Sequence, residues 1–181
     1  MPIKTALLVI DVQQGLCEGE HKAFESQRVI ERINTVAKKT RAAGAVVVFI
    51  QHEADAGFMQ AGSREWQLAD GLEQEPGDLL VRKTTPDSFN RTELGKLLRQ
   101  HEITQLVICG MHTEFCVDTT ARRALALGYP VILVADAHTT GDNAQLSAAQ
   151  IIQHHNDTLS SIISFGVRVR AICSGDLNIK S

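Results

Sequence analysis

Three residues of unlike chemistry each follow a different apolar run. Asp11 follows Thr5–Ile10, Lys83 follows Asp78–Val81, and Cys116 follows Gln105–Cys109 and the segment Gly110-Met-His-Thr-Glu-Phe. If these runs are parallel strands of one sheet, their carboxyl ends share an edge, and open α/β sheets bind ligands at that edge. A thiol, a carboxylate and an ammonium brought together there could carry out covalent catalysis. The sulfur attacks a carbonyl, the carboxylate moves the proton, and the cation favours the thiolate. Cys116 opens the helical pattern Glu114–Leu127 or lies in its first turn, where amide N–H groups and the helix dipole also favour a thiolate. Each residue alone has a plainer role. A cysteine in an apolar segment packs as a small hydrophobe, a strand-end aspartate caps backbone amides, and a lysine sits in solvent. Convergence is what turns them into a candidate site. His52, after the run Ala45–Ile50, could bind substrate there or be a structural histidine.

Other chemistries lack their signatures. No G-x-G-x-x-G or phosphate-binding loop is present, and no G-x-S-x-G marks a serine nucleophile. His154 and His155 are adjacent and cannot share one face of a helix; His52, His112 and His138 follow different strands and could converge, but without a recognisable metal-ligand spacing, so no metal or other cofactor is expected. The four cysteines, Cys17, Cys109, Cys116 and Cys173, are widely spaced and do not form a disulfide framework. A net charge of −3 and 4% aromatic residues give no field for nucleic acid and no platform for stacking bases. No apolar run approaches the ~20 residues of a membrane span, and the first residues lack a signal-peptide pattern. A cytoplasmic protein acting on a small molecule is therefore expected.

The elements that must position the three residues can be read from periodicity. Continuous β-branched runs (Thr5–Ile10, Ala45–Ile50, Gln105–Cys109, Pro130–Ala135) suit parallel strands covered on both faces. Asp78–Val81 is a shorter run, and the alternating Val167–Ile172 suits an edge strand. Between them lie helical patterns at Phe24–Ala43, Thr92–His101, Glu114–Leu127 and Ala144–Leu159. Such alternation predicts a doubly wound, three-layer α/β/α (Rossmann-like) fold with a mainly parallel sheet of about six strands. The chain of 181 residues shows no repeat or linker, so residues 1–181 are expected to form one domain. The stretch His52–Gly77 has no regular pattern and five Gly or Pro residues, which predicts a lid or binding loop, with Phe58 and Trp66 packing in it.

At these residues the chain resembles the isochorismatase-like cysteine hydrolases. The matching pieces are LLVIDVQ (Leu7–Gln13), RKTTPDSFNRTEL (Arg82–Leu94), LVICGMHTEFCVDTTARRAL (Leu106–Leu125), GYPVILVADA (Gly128–Ala137) and HHNDTL (His154–Leu159). The resemblance implies Cys116 as nucleophile, Asp11 as acid/base and Lys83 as third catalytic residue. It implies a cis peptide at Met111–His112, with the amides of His112 and Cys116 forming an oxyanion hole, and Gln13 and Phe89 lining the pocket or supporting its carboxylate. The implied reaction is hydrolysis of a C–N bond in a small amide, carbamoyl or ureido compound. A homo-oligomer, a dimer or larger, is also implied. Members that cleave vinyl ethers lack the cysteine, so Cys116 points to amide chemistry. Nicotinamidases carry an Asp-x-His metal pair after the second strand; here that position reads QHEADAGF, without the pair. The rival reading is a non-catalytic member that binds a small molecule or senses oxidants through Cys116.

Overall fold

Six parallel strands form one sheet in the order β3-β2-β1-β4-β5-β6. The computed structural model describes residues 3–180. The strands are β1 (Thr5–Ile10), β2 (Val46–His52), β3 (Leu79–Lys83), β4 (Gln105–Met111), β5 (Val131–Thr139) and β6 (Val169–Ile172). The helices are α1 (Gln14–Cys17), α2 (Ser26–Ala42), α3 (Leu94–Gln100), α4 (Asp118–Ala126) and α5 (Ala148–Ser160). A short 3₁₀ turn at Gly19–His21 follows α1, and a π-helical turn at Thr113–Val117 precedes α4.

Every residue of β1 is buried, and its side chains alternate between two cores. Leu7 and Val9 meet Val29, Ile33 and Val36 of α2 on one face. Ala6, Leu8 and Ile10 meet Leu94 and Leu98 of α3 and Val117, Ala121 and Ala124 on the other. A strand buried on both faces has no reason to alternate in polarity, which is why the run TALLVI is apolar throughout. Among the described residues, no helix is long and apolar enough to cross a membrane.

Four strands extend beyond their apolar runs, and the extensions build the site. β2 and β3 continue pairing through Gln51↔Arg82 and His52↔Lys83. β4 continues through Gly110 to Met111. β5 bulges between Leu133 and His138 while β4 advances only from Ile108 to Gly110. That irregularity carries β5 on to Thr139, past the Ala135 end that the apolar run suggests. β6 is shorter than its run, starting at Val169. α1 and the two irregular turns have no hydrophobic period long enough to be read from sequence. Residues 53–78 contain no helix or strand, and they fold back over the segment after β1. Gln14 N–H donates to Gln67 O at 2.8 Å, Gly15 N–H to Glu65 O at 2.9 Å, and Ala69 N–H to Val12 O at 3.0 Å.

Candidate active site

Strand order reverses between β1 and β4, and this switch point is where doubly wound sheets open a crevice at their carboxyl ends. Asp11 lies one residue past β1. Its N–H donates to Ile50 O at 2.9 Å, prolonging the ladder, while its backbone adopts φ 51°. A left-handed aspartate turns the chain out of the sheet without continuing the strand. Lys83 closes β3, and Cys116 sits in the π-helical turn that joins β4 to α4.

These side chains meet. Lys83 Nζ donates to Asp11 Oδ2 at 2.6 Å and to Cys116 Sγ at 3.2 Å, and lies 3.3 Å from His52 Nδ1. Asp11 and Lys83 are 1% and 2% exposed, so the ion pair is removed from solvent. Asp11 Oδ1 is buried and accepts no hydrogen bond among the described residues, and an oxygen of this carboxylate lies within 4.8 Å of Cys116 Sγ. The Cys116 thiol is pushed up to about 12, chiefly by burial and then by the Asp11 charge, with Lys83 opposing. This direction runs against the expectation of a resting thiolate. Burial and a neighbouring carboxylate both disfavour a second anion here, and together they outweigh one ammonium.

A cavity of about 250 Å³ opens onto Cys116 and Asp11. His52 and His112 supply its polar walls; Leu16, Phe58, Met59 and Phe115 supply its apolar ones. Phe58 and Met59 come from the irregular segment, which therefore covers the cavity. The sequence reading missed Leu16, Met59 and Phe115, since one-turn helices and loops carry no period to mark an inward face. Burial holds both His52 and His112 below the ordinary imidazole value; for His52 the Lys83 charge acts in the same direction. The Met111–His112 peptide bond is cis.

Two expected pocket residues stand outside the cavity lining. Gln13 is wholly buried and acts as a brace. Its Nε2 donates to Trp66 O at 2.7 Å and to His52 O at 3.0 Å, and its Oε1 accepts from His52 N–H at 2.8 Å. Phe89 faces Tyr129 with ring centroids 6.3 Å apart. The loop after β3 is pinned to α4 by Ser88 and Thr120, whose hydroxyls are 2.8 Å apart, and this turns Phe89 into the packing beside α3. His138 is also away from the cavity. Its Nδ1 meets Thr113 Oγ1 at 2.9 Å and its Nε2 meets Asn156 Oδ1 at 3.0 Å, and burial lowers it to about 4.

Asp11, His52 and Cys116 each offer a ligand atom, all within 4.8 Å of one another, a spacing that suits a metal ion. Lys83 Nζ, however, lies within hydrogen-bond distance of all three residues. A cation entering among them would meet a buried ammonium, so the donor set as it stands fits a metal poorly.

A parallel doubly wound sheet with a Cys–Lys–Asp cluster at its switch point places the molecule among the doubly wound α/β folds. The isochorismatase domain profile matches residues 5–161, and the chain belongs to that family. Streptothricin hydrolase of Streptomyces noursei is 41% identical over 138 residues, covering 76% of this chain and 50% of the relative. The chain thus spans about half the length of that relative. Ureidoacrylate amidohydrolase RutB of Stutzerimonas stutzeri is 30% identical over 201 residues, covering 90% and 81%. A crystal structure of an isochorismatase family protein superposes with a TM-score of 0.83 at 36% identity, covering 91% of this chain and 96% of that one.

Proposed function

We propose that this protein hydrolyses a C–N bond in a small amide, carbamoyl or ureido compound through a thioester on Cys116. The observation that carries the reading is the buried ammonium of Lys83 bridging Asp11 Oδ2 and Cys116 Sγ, two residues that line a small cavity. The names of two relatives, a streptothricin hydrolase and a ureidoacrylate amidohydrolase, support the same class of chemistry.

In this mechanism the resting nucleophile is a neutral thiol. As sulfur attacks the substrate carbonyl, the thiol proton passes to Asp11, whose Oδ1 is unpartnered. Lys83 stabilises the developing thiolate and fixes the carboxylate through its other oxygen. The amides of His112 and Cys116 serve the oxyanion. Asp11 then protonates the leaving nitrogen, the C–N bond breaks, and ammonia or an amine departs. Water attacks the thioester, gives a proton to Asp11, and the acid leaves as sulfur recovers its proton.

The redox-sensor alternative is less well supported. A sensing cysteine needs an accessible, low-pKa thiolate. Cys116 is instead pushed up to about 12 by burial and by Asp11. The test is ammonia or amine release from a panel of small amides, ureas and carbamoyl compounds by the wild type and by Asp11→Asn. Turnover of at least one compound by the wild type, with about a thousandfold loss in the variant, is expected. No turnover of any compound, or an active Asp11→Asn, contradicts the reading.

A further inference from the structure

The cavity beside Cys116 carries no spare charge. An ammonium has three donors and no acceptor. Lys83 directs its Nζ at Asp11 Oδ2, Cys116 Sγ and His52 Nδ1, at 2.6, 3.2 and 3.3 Å. His52 Nδ1 must accept in that contact, so the one proton of its neutral ring lies on Nε2. No described residue accepts a hydrogen bond from Nε2, and His52 lines the cavity together with Cys116. The residue is held in place by Gln13, whose side-chain amide bonds both His52 N–H and His52 O. Protonating Nδ1 would break the Lys83 contact and set two cations side by side. Burial and the Lys83 charge accordingly hold His52 below its ordinary value. What the ring presents is a fixed, uncharged N–H donor.

The other lining residues add no cation. The charge of Lys83 is matched by Asp11, His112 is held neutral by burial, and the remaining walls are apolar. A carboxylate entering this space loses its water and gains no counter-ion, whereas an uncharged carbonyl loses far less. A ring nitrogen of His52 lies within 4.8 Å of Cys116 Sγ, which places the imidazole beside the carbonyl under attack.

We propose that the site selects uncharged amides bearing a second carbonyl oxygen close to the scissile one (diamides, imides or acylureas), and that His52 Nε2–H donates to that second oxygen. The proposal rests on Cys116 being the nucleophile and deepens that reading. It makes His52 the residue that determines specificity.

Binding is measured by calorimetry on Cys116→Ser, which separates recognition from turnover. The probes are malonamide, acetylurea and succinimide, each against a carboxylate counterpart such as malonamate or succinamate. The neutral member of at least one pair should bind about tenfold more tightly or better; adding His52→Leu should weaken binding of that neutral probe by about tenfold, while His52→Gln, which keeps an N–H, should retain part of the affinity. In enzyme with Cys116 intact, His52→Leu should raise KM for a turned-over dicarbonyl amide more than it lowers kcat, and should affect a simple monoamide less. Carboxylates binding as well as their neutral partners, no binding by any neutral probe, or equal losses on both substrate types in His52→Leu would overturn the proposal. Failure of the nucleophile reading looks different: the selectivity persists, but Cys116→Ala, which has no nucleophile at that position, still turns substrate over.

Discussion

At the residue scale, the site is a balance of charges around one sulfur. Asp11 raises the Cys116 thiol and Lys83 lowers it, with burial dominating both. Replacing Asp11 by Asn removes the negative charge and keeps the ammonium. The thiol must then ionise at lower pH, so its thiolate fraction at pH 8 rises. Iodoacetamide should alkylate Cys116 faster in Asp11→Asn than in the wild type, by about tenfold for each pKa unit recovered. Peptide mapping reads this directly, and an unchanged rate would show that Asp11 does not act on the sulfur. In the wild type Cys173 should label first, since it is exposed, whereas burial raises the thiols of Cys17 and Cys109 as well. Lys83→Met tests the other partner. It strands the Asp11 carboxylate in a site that is 1% exposed, and breaking a buried pair in this way costs about 3–5 kcal/mol. Urea unfolding at pH 7 should register that loss, and a variant as stable as the wild type would mean that Asp11 finds another partner.

At the element scale, strand interiors were legible and strand ends were not. Runs such as TALLVI and VVVFI announce parallel strands because both faces are buried. Gln51, His52 and Lys83 continue β2 and β3, yet their polarity reads as loop. Gln51 and Lys83 are nevertheless buried and His52 is half-buried, because the strand ends are covered there by the segment that follows β2. Asp11, Lys83 and Cys116 could be located because strand topology alone predicts their convergence. Phe58 and Met59 carry no such signal, for an irregular segment has no period. Phe89 stands outside the cavity lining for a tertiary reason, the anchoring of its loop to Thr120. One glycine governs how closely β4 approaches β1 beneath the site. Gly110 has φ 118°, and a Cβ there would stand 2.0 Å from Ile10 O. The obstruction is the backbone of a central strand, which cannot move aside. Gly110→Ala should therefore cost more than about 3 kcal/mol, or fail to fold. A thermal melt coincident with that of the wild type would contradict the assigned register.

At the scale of the whole molecule, the histidines tie stability to pH. His138 is buried between Thr113 and Asn156 and falls to about 4 in the folded state, from 6.5 when unfolded. Between those values the unfolded chain binds the proton and the folded chain does not, so stability rises with pH. The contribution is fully present above about pH 6.5 and is lost as pH falls toward 4, and it amounts to roughly 3 kcal/mol. His52 and His112 are shifted the same way and add to the loss on acidification. The urea midpoint should drop between pH 7 and pH 5, and His138→Gln should flatten that dependence. A midpoint that stays constant or rises on acidification would contradict neutral burial of these rings. Thr113 belongs to the turn that carries Cys116, so the same network also braces that turn. The sheet, its switch point and the covering segment together position one sulfur, on which the proposed hydrolysis depends. Its most direct test is the rate at which Cys116→Ala releases ammonia or amine from an amide that the wild type hydrolyses. The variant should be folded, with a circular dichroism spectrum like that of the wild type, and slower by about a thousandfold or more. Turnover retained within about tenfold would contradict covalent catalysis at Cys116.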